Sequence, residues 1–352
     1  MGYKRLVKEL LPFCVVKYLY NRGNKVLINT NIQGELSSES IKFKNVVAVS
    51  GFGYSGHTAL LDLFREYSSN RLDMIMADGK ERHFELDYMR LAGGLFEIER
   101  FLDSNDVFMI DALLHRTLRL LTSYLNYERN ADVYKHTCIY ISKLIDYKIS
   151  DISFPLYNPA LYYDSLFPDK HIYSLKSMSL SDYRSLTRRY LANVYNDLYD
   201  GSKDTIILDH IFSDGEYDMD KYQEYIPGVK YIVVRRDPRD VYYYAKKYDV
   251  KFIAHDSVEN FVKNMQRMYS RYDKNSSKYL TVRFEDLALR YDEIVPTIEK
   301  YIGINPEDHD LKRKYFNPDI SKKNVAIWKQ DPSLANDMKY IESKMYELCF
   351  HG

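Results

Sequence analysis

The stretch VVAVSGFGYSGHTALLDLFREY, Val46 to Tyr67, decides the fold. Val46 to Ser50 (VVAVS) is a short, largely β-branched run and reads as the first clear strand. Gly51, Gly53 and Gly56 follow within six positions and let the backbone turn tightly. The apolar spacing of TALLDLFREY then reads as a helix. Strand, glycine-rich turn, helix is the arrangement in which successive backbone N–H groups converge at a helix N-terminus and favour phosphate. Ser55 and Thr58 add hydroxyl donors. No GK[ST] follows, so the lysine that would reach a γ-phosphate in an ATP or GTP phosphotransferase is absent.

Working outward, the pattern after Gly201 alternates between strand and helix. DTIILDH is a strand, and VKYIVVRR is a second that runs straight into the helix of DPRDVYYYAKKY. NFVKNMQRMYSRY is a helix, KYLTVRFEDL a strand ending in an acidic turn, and EIVPTIEKYIG a helix stopping at Gly303. This order predicts an α/β fold with a P-loop-type parallel sheet flanked by helices. Between about residues 78 and 200 the pattern is mainly helical, as in GLFEIERFL, ALLHRTLRLLTSYL and YRSLTRRYLANVYNDLY. It predicts a large helical insertion between the phosphate loop and the later strands. The chain therefore divides into an N-terminal segment and linker, 1–44, and one domain, 45–352, that carries the insertion.

Arg235 and Arg236 end the second strand, and Asp-Pro-Arg-Asp opens the next helix with proline suited to its first turn. Arginine at the carboxyl end of a parallel strand lies where open α/β sheets bind ligands, and its planar fork suits phosphate. Asp240 is placed to fold back on an arginine or to cap the helix.

These two motifs, in this order, resemble the sulfotransferases that use 3′-phosphoadenosine 5′-phosphosulfate (PAPS). Tyr54, Ser55, Gly56, His57 and Thr58 match the family's loop, which begins with lysine or arginine and holds the 5′-phosphosulfate end of the donor. RDPRDV matches the motif whose arginine, here Arg236, binds the 3′-phosphate. VRFEDLALRYDEIVPTIEKYIGI is similar to the family's Tyr/Phe-Glu-Asp-Leu segment and following helix, and NPDISKKNVAIWKQ to its lysine-rich stretch with Trp-Lys near the nucleotide, here Trp328 and Lys329. The resemblance covers about residues 45–65 and 203–345. Two positions depart from it. The loop cation is Tyr54, and the serine eight positions after Arg236 is Tyr244. His57, Lys322 and Lys323 are candidates to supply the missing charge.

The resemblance implies a donor-binding set of Gly53, Tyr54, Ser55, Gly56, His57, Thr58, Arg236, Tyr244, Trp328 and Lys329. It implies PAPS as donor, PAP as product, and no metal. Sulfuryl transfer needs a base for the acceptor hydroxyl and donors for the leaving phosphate. TIILDHIFSD resembles the family's strand that ends at the histidine base, which places the base at His210. Asp209 is the alternative or the group that orients the histidine, and His57, inside the loop, is a rival. The expected acceptor is a carbohydrate hydroxyl, in surface or capsular polysaccharide biosynthesis. The alternatives are a nucleotide-binding relative without the activity and a nucleotide kinase-like enzyme.

The 352 residues hold 50 Lys+Arg against 50 Asp+Glu, so the formal charge is zero and no broad nucleic-acid surface is expected. Cys14, Cys138 and Cys349 form no CxxC pair or zinc-spaced set, which fits reduced thiols in a cytoplasmic protein. Nothing reaches the ~18 apolar residues of a spanning helix. RLVKELLPFCVVKYLYNRGNKV lacks a cleavage site, and its apolar residues with basic flanks predict peripheral contact with the inner face of the membrane, or packing on the protein itself. There are 35 tyrosines against one tryptophan. Tyrosine suits sugar and nucleotide surfaces but also fills half-wet cores, and the second use is expected for most of them.

Overall fold

Strand β1, Asn45–Gly51, is buried from Val46 to Ser50, and it has a hydrogen-bonded neighbour on each side. The computed structural model describes residues 34–71, 74–77, 80–83, 95–99, 102, 131–150, 171–198, 203–209, 211–212, 219–273 and 276–352. The chain forms two units, Met1–Glu39 with Gly93–Val194, and Ser40–Ala92 with Tyr195–Gly352. The N-terminal stretch read as membrane-facing, and Cys14 within it, lie outside the described residues. No described helix is long and apolar enough to cross a membrane.

In the second unit, β1 is joined by β2 (Asn70–Arg71), β3 (Thr205–Asp209), β4 (Lys230–Arg235) and β5 (Tyr279–Arg283). The order is β2-β3-β1-β4-β5 and every pairing is parallel. The α/β fold with a parallel sheet flanked by helices is therefore as the alternating pattern predicts. From β1 the chain fills one side of the sheet and then crosses to the other. The register sets Val49 opposite Asp209 and Gly51 opposite Val234. The carboxyl ends of β3, β1 and β4 thus come level, where ligands bind in such sheets.

Helix α1, His57–Phe64, buries Leu60, Leu61, Leu63 and Phe64 against Val47, Val49, Ile207 and Val234. Helix α2, Pro238–Tyr248, starts on Asp237, whose carboxylate accepts from the Arg239 N–H. Its buried face packs with α3, Val258–Asp273, through Val241, Tyr242, Phe261 and Met265. Helix α4, Phe284–Leu289, follows β5 directly, and α5, Tyr291–Ile302, stops at Gly303 with φ 81°, the left-handed stop its sequence predicts.

One buried carboxylate fixes the segment after α5. Glu66, fully buried, accepts from the backbone N–H groups of Arg313, Tyr315 and Phe316, each at 2.9 Å, and from His309 Nε2 at 2.9 Å. His309 Nδ1 lies 3.6 Å from Glu299, which also accepts from the Tyr67 hydroxyl at 2.7 Å.

The first unit is described in part. Its helices Ala131–Leu144 and Leu180–Leu198, the latter contributing as far as Val194, carry a tyrosine core. Tyr140 and Tyr190 stack at 4.4 Å, and their hydroxyls pair with Thr187 and Thr137 at 2.9 and 3.0 Å. Burial pushes the Tyr140 phenol up to about 12. Eight of the ten largest fully buried side chains among the described residues are tyrosines, so tyrosine is a main filler of the described core. The middle segment also contains strand: Ile145–Ser150 pairs antiparallel with His171–Leu175. IDYKIS and HIYSL alternate apolar and polar residues, a period too short to stand out among the helices. The ALLHRTLRLLTSYL segment lies outside the described residues.

Glu66→Ala leaves three backbone N–H groups and His309 without their acceptor in the core. Denaturant unfolding is expected to show a loss of about 3–5 kcal/mol, the cost of breaking a buried charged network. A loss under about 1 kcal/mol would mean that water replaces the carboxylate.

Candidate active site

The turn between β1 and α1 is held tight by a bond from the Ser55 N–H to the Phe52 carbonyl at 2.8 Å. Tyr54 and Gly56 both take left-handed backbone, with φ of 64° and 85°. Gly56 caps α1 without a side chain, so the first N–H groups of the helix are not answered by a cap. A Cβ on Gly51 would overlap Ser55 Oγ and come 2.9 Å from the Val234 carbonyl. A Cβ on Gly56 would come 2.6 Å from the Phe284 ring. Two of the three loop glycines are therefore required by close approach. Ser55 is fully buried and its hydroxyl has no hydrogen-bond partner, while Thr58 is exposed.

Arg236 stands at the end of β4 and is 5% exposed. It donates to the Tyr54 carbonyl at 3.5 Å, to the Asn324 carbonyl, and to Asp240 at 3.4 Å. Its guanidinium lies between two rings, 4.9 Å from the centroid of Tyr244 and 4.6 Å from that of Phe284. Its Nε is buried without a partner. Asp240, one turn into α2, also accepts from the N–H groups of Ala326 and Trp328, both at 3.1 Å. Burial dominates its titration and pushes it up to about 6, although Arg236 and the Trp328 N–H pull the other way.

The rest of the two C-terminal motifs supports these groups. Glu285, fully buried in FEDL, accepts from the Asp237 N–H at 2.7 Å and lies 3.6 Å from Arg283. Burial raises its carboxyl above the ordinary range. Phe284, the preceding residue, is the spacer between Gly56 and Arg236. Arg239 grips Asp237 at 2.7 Å, donates to the Phe350 carbonyl at 2.8 Å, and lies 4.8 Å from the Trp328 ring centroid.

The catalytic candidates meet at the other side of the loop. Asp209 ends β3 and is fully buried, and His57 Nε2 lies 4.0 Å from its carboxylate, with the His57 side chain 15% exposed. His210 lies outside the described residues. Gly53 lies under the ring of Phe252. Lys329 is exposed, 5.6 Å from the Trp328 centroid, and Trp328 Nε1 is buried without a partner. Lys322 pairs with Asp319 at 2.8 Å, and Lys323, the next residue, is exposed on the same turn.

The two positions that depart from the family pattern touch one another. Tyr54 and Tyr244 stack at 5.5 Å with their planes 16° apart, and the Tyr244 hydroxyl donates to Asn324 at 3.2 Å. Sequence reading missed Asn324 and Phe252. Asn324 sits in the quoted SKKN segment, where only the lysines draw attention. Phe252 carries no motif at all.

The orphaned Ser55 hydroxyl and Arg236 Nε, beside an uncapped helix N-terminus, are donors that an anion would satisfy. The residues present thus fit a phosphate-bearing donor. Among the described residues no group of His, Cys, Asp and Glu has the arrangement to hold a metal ion.

No family model matches the chain, and no curated protein matches it. Among solved structures it is similar to the sulfotransferase domain from the curacin biosynthetic pathway, at 12% identity, covering 87% of this chain and 99% of that one, with a TM-score of 0.40. It is similar to the sulfotransferase domain of a Synechococcus olefin synthase at 13% identity, over 88% and 91% of the two chains, with a TM-score of 0.37. A sulfotransferase from Mycobacterium tuberculosis matches at 14% identity over 81% and 77%, with a TM-score of 0.34. Likenesses this shallow carry no argument about activity, which rests on this chain's own residues.

Gly51→Ala forces a methyl group against the Ser55 hydroxyl, which must turn away, and against the Val234 carbonyl, which the sheet holds in place. It is expected to cost about 1–3 kcal/mol in thermal or denaturant unfolding, the usual penalty of overpacking. An unchanged midpoint would show that the loop is looser than its contacts indicate.

Proposed function

We propose that the chain transfers a sulfuryl group from PAPS to a hydroxyl of a carbohydrate acceptor. The observation that carries this reading is the convergence at three level strand ends. A buried phosphate-type loop with an orphaned serine, an arginine with an orphaned Nε, and a carboxylate–histidine pair all meet there. Anion donors on one side and a proton acceptor on the other are what transfer to a hydroxyl requires.

Each residue then has a role. The loop N–H groups and Ser55 hold the phosphate next to the sulfur, and Arg236 takes the 3′-phosphate, whose oxygens replace the Asn324 carbonyl contact. Trp328 and Lys329 line the nucleotide side. The donor, when bound, supplies the sulfuryl group and a leaving phosphate in line with the attacking oxygen. His57 takes the proton from the acceptor hydroxyl, and Asp209 orients the ring and stabilises the imidazolium that results. The loop lacks its usual cation at Tyr54, so protonated His57 also supplies positive charge beside the leaving phosphate. We further propose a cytoplasmic setting in surface-polysaccharide synthesis, with the basic and apolar N-terminal segment touching the inner face of the membrane.

A second reading, a nucleotide-binding relative without turnover, is favoured by one observation, the Tyr54–Tyr244 stack at the two donor-binding positions. Turnover on a glycan separates the two.

Two experiments test the proposal. Arg236→Ala, if folded, is expected to weaken PAP binding by about 1.5–3 kcal/mol in calorimetry, the value of hydrogen bonds to a charged group. Unchanged affinity removes Arg236 from the site. His57→Ala is expected to lower turnover by roughly 10²–10⁴-fold, the range for a lost general base, with a much smaller loss of PAP affinity from the missing charge. If His210→Ala is crippled while His57→Ala keeps its activity, the base is His210.

A further inference from the structure

Four aromatic rings form a ladder at the phosphate loop. Phe252 stacks on Tyr54 at 6.3 Å, Tyr54 on Tyr244 at 5.5 Å, and Tyr244 on Tyr248 at 5.8 Å, with planes 13°, 16° and 15° apart. Unlike the tyrosines of the core, three of these rings are exposed: Phe252 by 73%, Tyr248 by 57% and Tyr54 by 37%. A phenylalanine left this open contributes little to the fold, since apolar burial stabilises by about 25 cal/mol per Å² removed from water. Exposed, contiguous rings beside a ligand site are the mark of a binding surface.

We propose that this ladder is the subsite that holds a sugar ring of the acceptor. The proposal rests on the sulfuryl-transfer reading and deepens it by placing the acceptor on residues of the loop side. Three observations carry it.

The first is position. Tyr54 belongs to the phosphate loop itself, and the Phe252 ring covers Gly53 of the same loop. A sugar ring at the Phe252–Tyr54 end of the ladder lies beside the loop that holds the phosphosulfate, whereas the Tyr244 end lies against Arg236 and the 3′-phosphate.

The second is rigidity. Tyr54 is set by its left-handed backbone, and Tyr244 is pinned between the Asn324 bond at 3.2 Å and the Arg236 guanidinium at 4.9 Å. A platform fixed before the ligand arrives loses little entropy on binding.

The third is chemistry. The shelf is open, not a closed slot. A phenolic acceptor gains most by full burial, which an open shelf does not give. A pyranose has an apolar face of C–H bonds that packs on a ring and a rim of hydroxyls that must stay hydrated. Phe252, the most open ring at the loop end of the ladder, meets both needs, with the edges of the other rings beside it. Lys247 stands at its outer end, with Nζ 5.7 Å from the Tyr248 centroid and 2.9 Å from the Tyr243 hydroxyl. That cation suits a sugar that bears a carboxylate or an earlier sulfate.

The test uses the full chain with saturating PAP and two probes, cellohexaose and a uronate-containing chondroitin hexasaccharide, with binding followed by calorimetry. The wild type is expected to bind at least one of them, the uronate probe more tightly. Phe252→Ala and Tyr248→Ala each weaken that binding about tenfold, the scale of one lost stacking contact, while PAP affinity stays within about twofold. Phe252→Trp keeps the sugar. Sugar binding in both alanine variants equal to wild type overturns the subsite, as does wild type that binds PAP but neither hexasaccharide. Turnover of p-nitrophenol with no sugar binding overturns it in favour of a phenolic acceptor. Wild type that binds no PAP sinks the sulfuryl-transfer reading itself, and the subsite with it.

Discussion

The strand ends are organised around one ion pair kept out of water, Arg236 with Asp240. Neither charge would be tolerated there alone, since an isolated buried ion carries a desolvation penalty of several kcal/mol. Together they neutralise each other and still have donors and acceptors left over. Arg236 uses its surplus on the Tyr54 and Asn324 carbonyls, and Asp240 uses its own on the Ala326 and Trp328 N–H groups. Two segments far apart in the chain, the loop at Tyr54 and residues 324–328, are thereby tied to the first turn of α2. The carboxyl of Asp240 is pushed up to about 6 because burial outweighs even this many partners. Its visible effect is to bring segments together, since the cost of desolvating two charges offsets much of what their attraction contributes.

A parallel sheet makes such an arrangement available. All its strands point the same way, so their carboxyl ends share one edge, and the turns that follow crowd together. Phe284 and Glu285 show how the crowding is controlled. The ring separates the loop glycine from the arginine, and the carboxylate next to it holds the N–H that precedes α2. In the sequence FEDL reads as one motif. In the structure it does two mechanical jobs on two different neighbours.

How much of this was legible in the sequence depended on range. β1 with its loop, β4 with Arg236 and α2, and the stop at Gly303 were readable because each is set by residues within one turn or strand. The parallel sheet followed from alternation. β2, only Asn70 and Arg71, is too short to show a period, and the Ile145–Ser150 hairpin strand hid among helical patterns. In the site, Ser55, Arg236, Asp209 and His57 could be named as candidates. That His57 and Asp209 would lie 4.0 Å apart could not, because the approach is set by the register of β3 on β1. The Tyr54–Tyr244 contact was equally invisible. In the sequence the two residues are separate departures from a pattern, 190 positions apart, and only packing makes them one feature. The same holds for Glu66, an ordinary glutamate at the end of a helical run until the fold brings three N–H groups to it.

Tyr54 has a consequence for how this chain can change. Its φ of 64° places a bulky L-residue where glycine is at ease, at a penalty of about 1–2 kcal/mol. Glycine at this position would relax the backbone. A tyrosine that persists in such a conformation marks a place where stability and use pull in opposite directions. Replacing Tyr54 by glycine would thus relax the loop and at the same time remove the ring that links Phe252 to Tyr244.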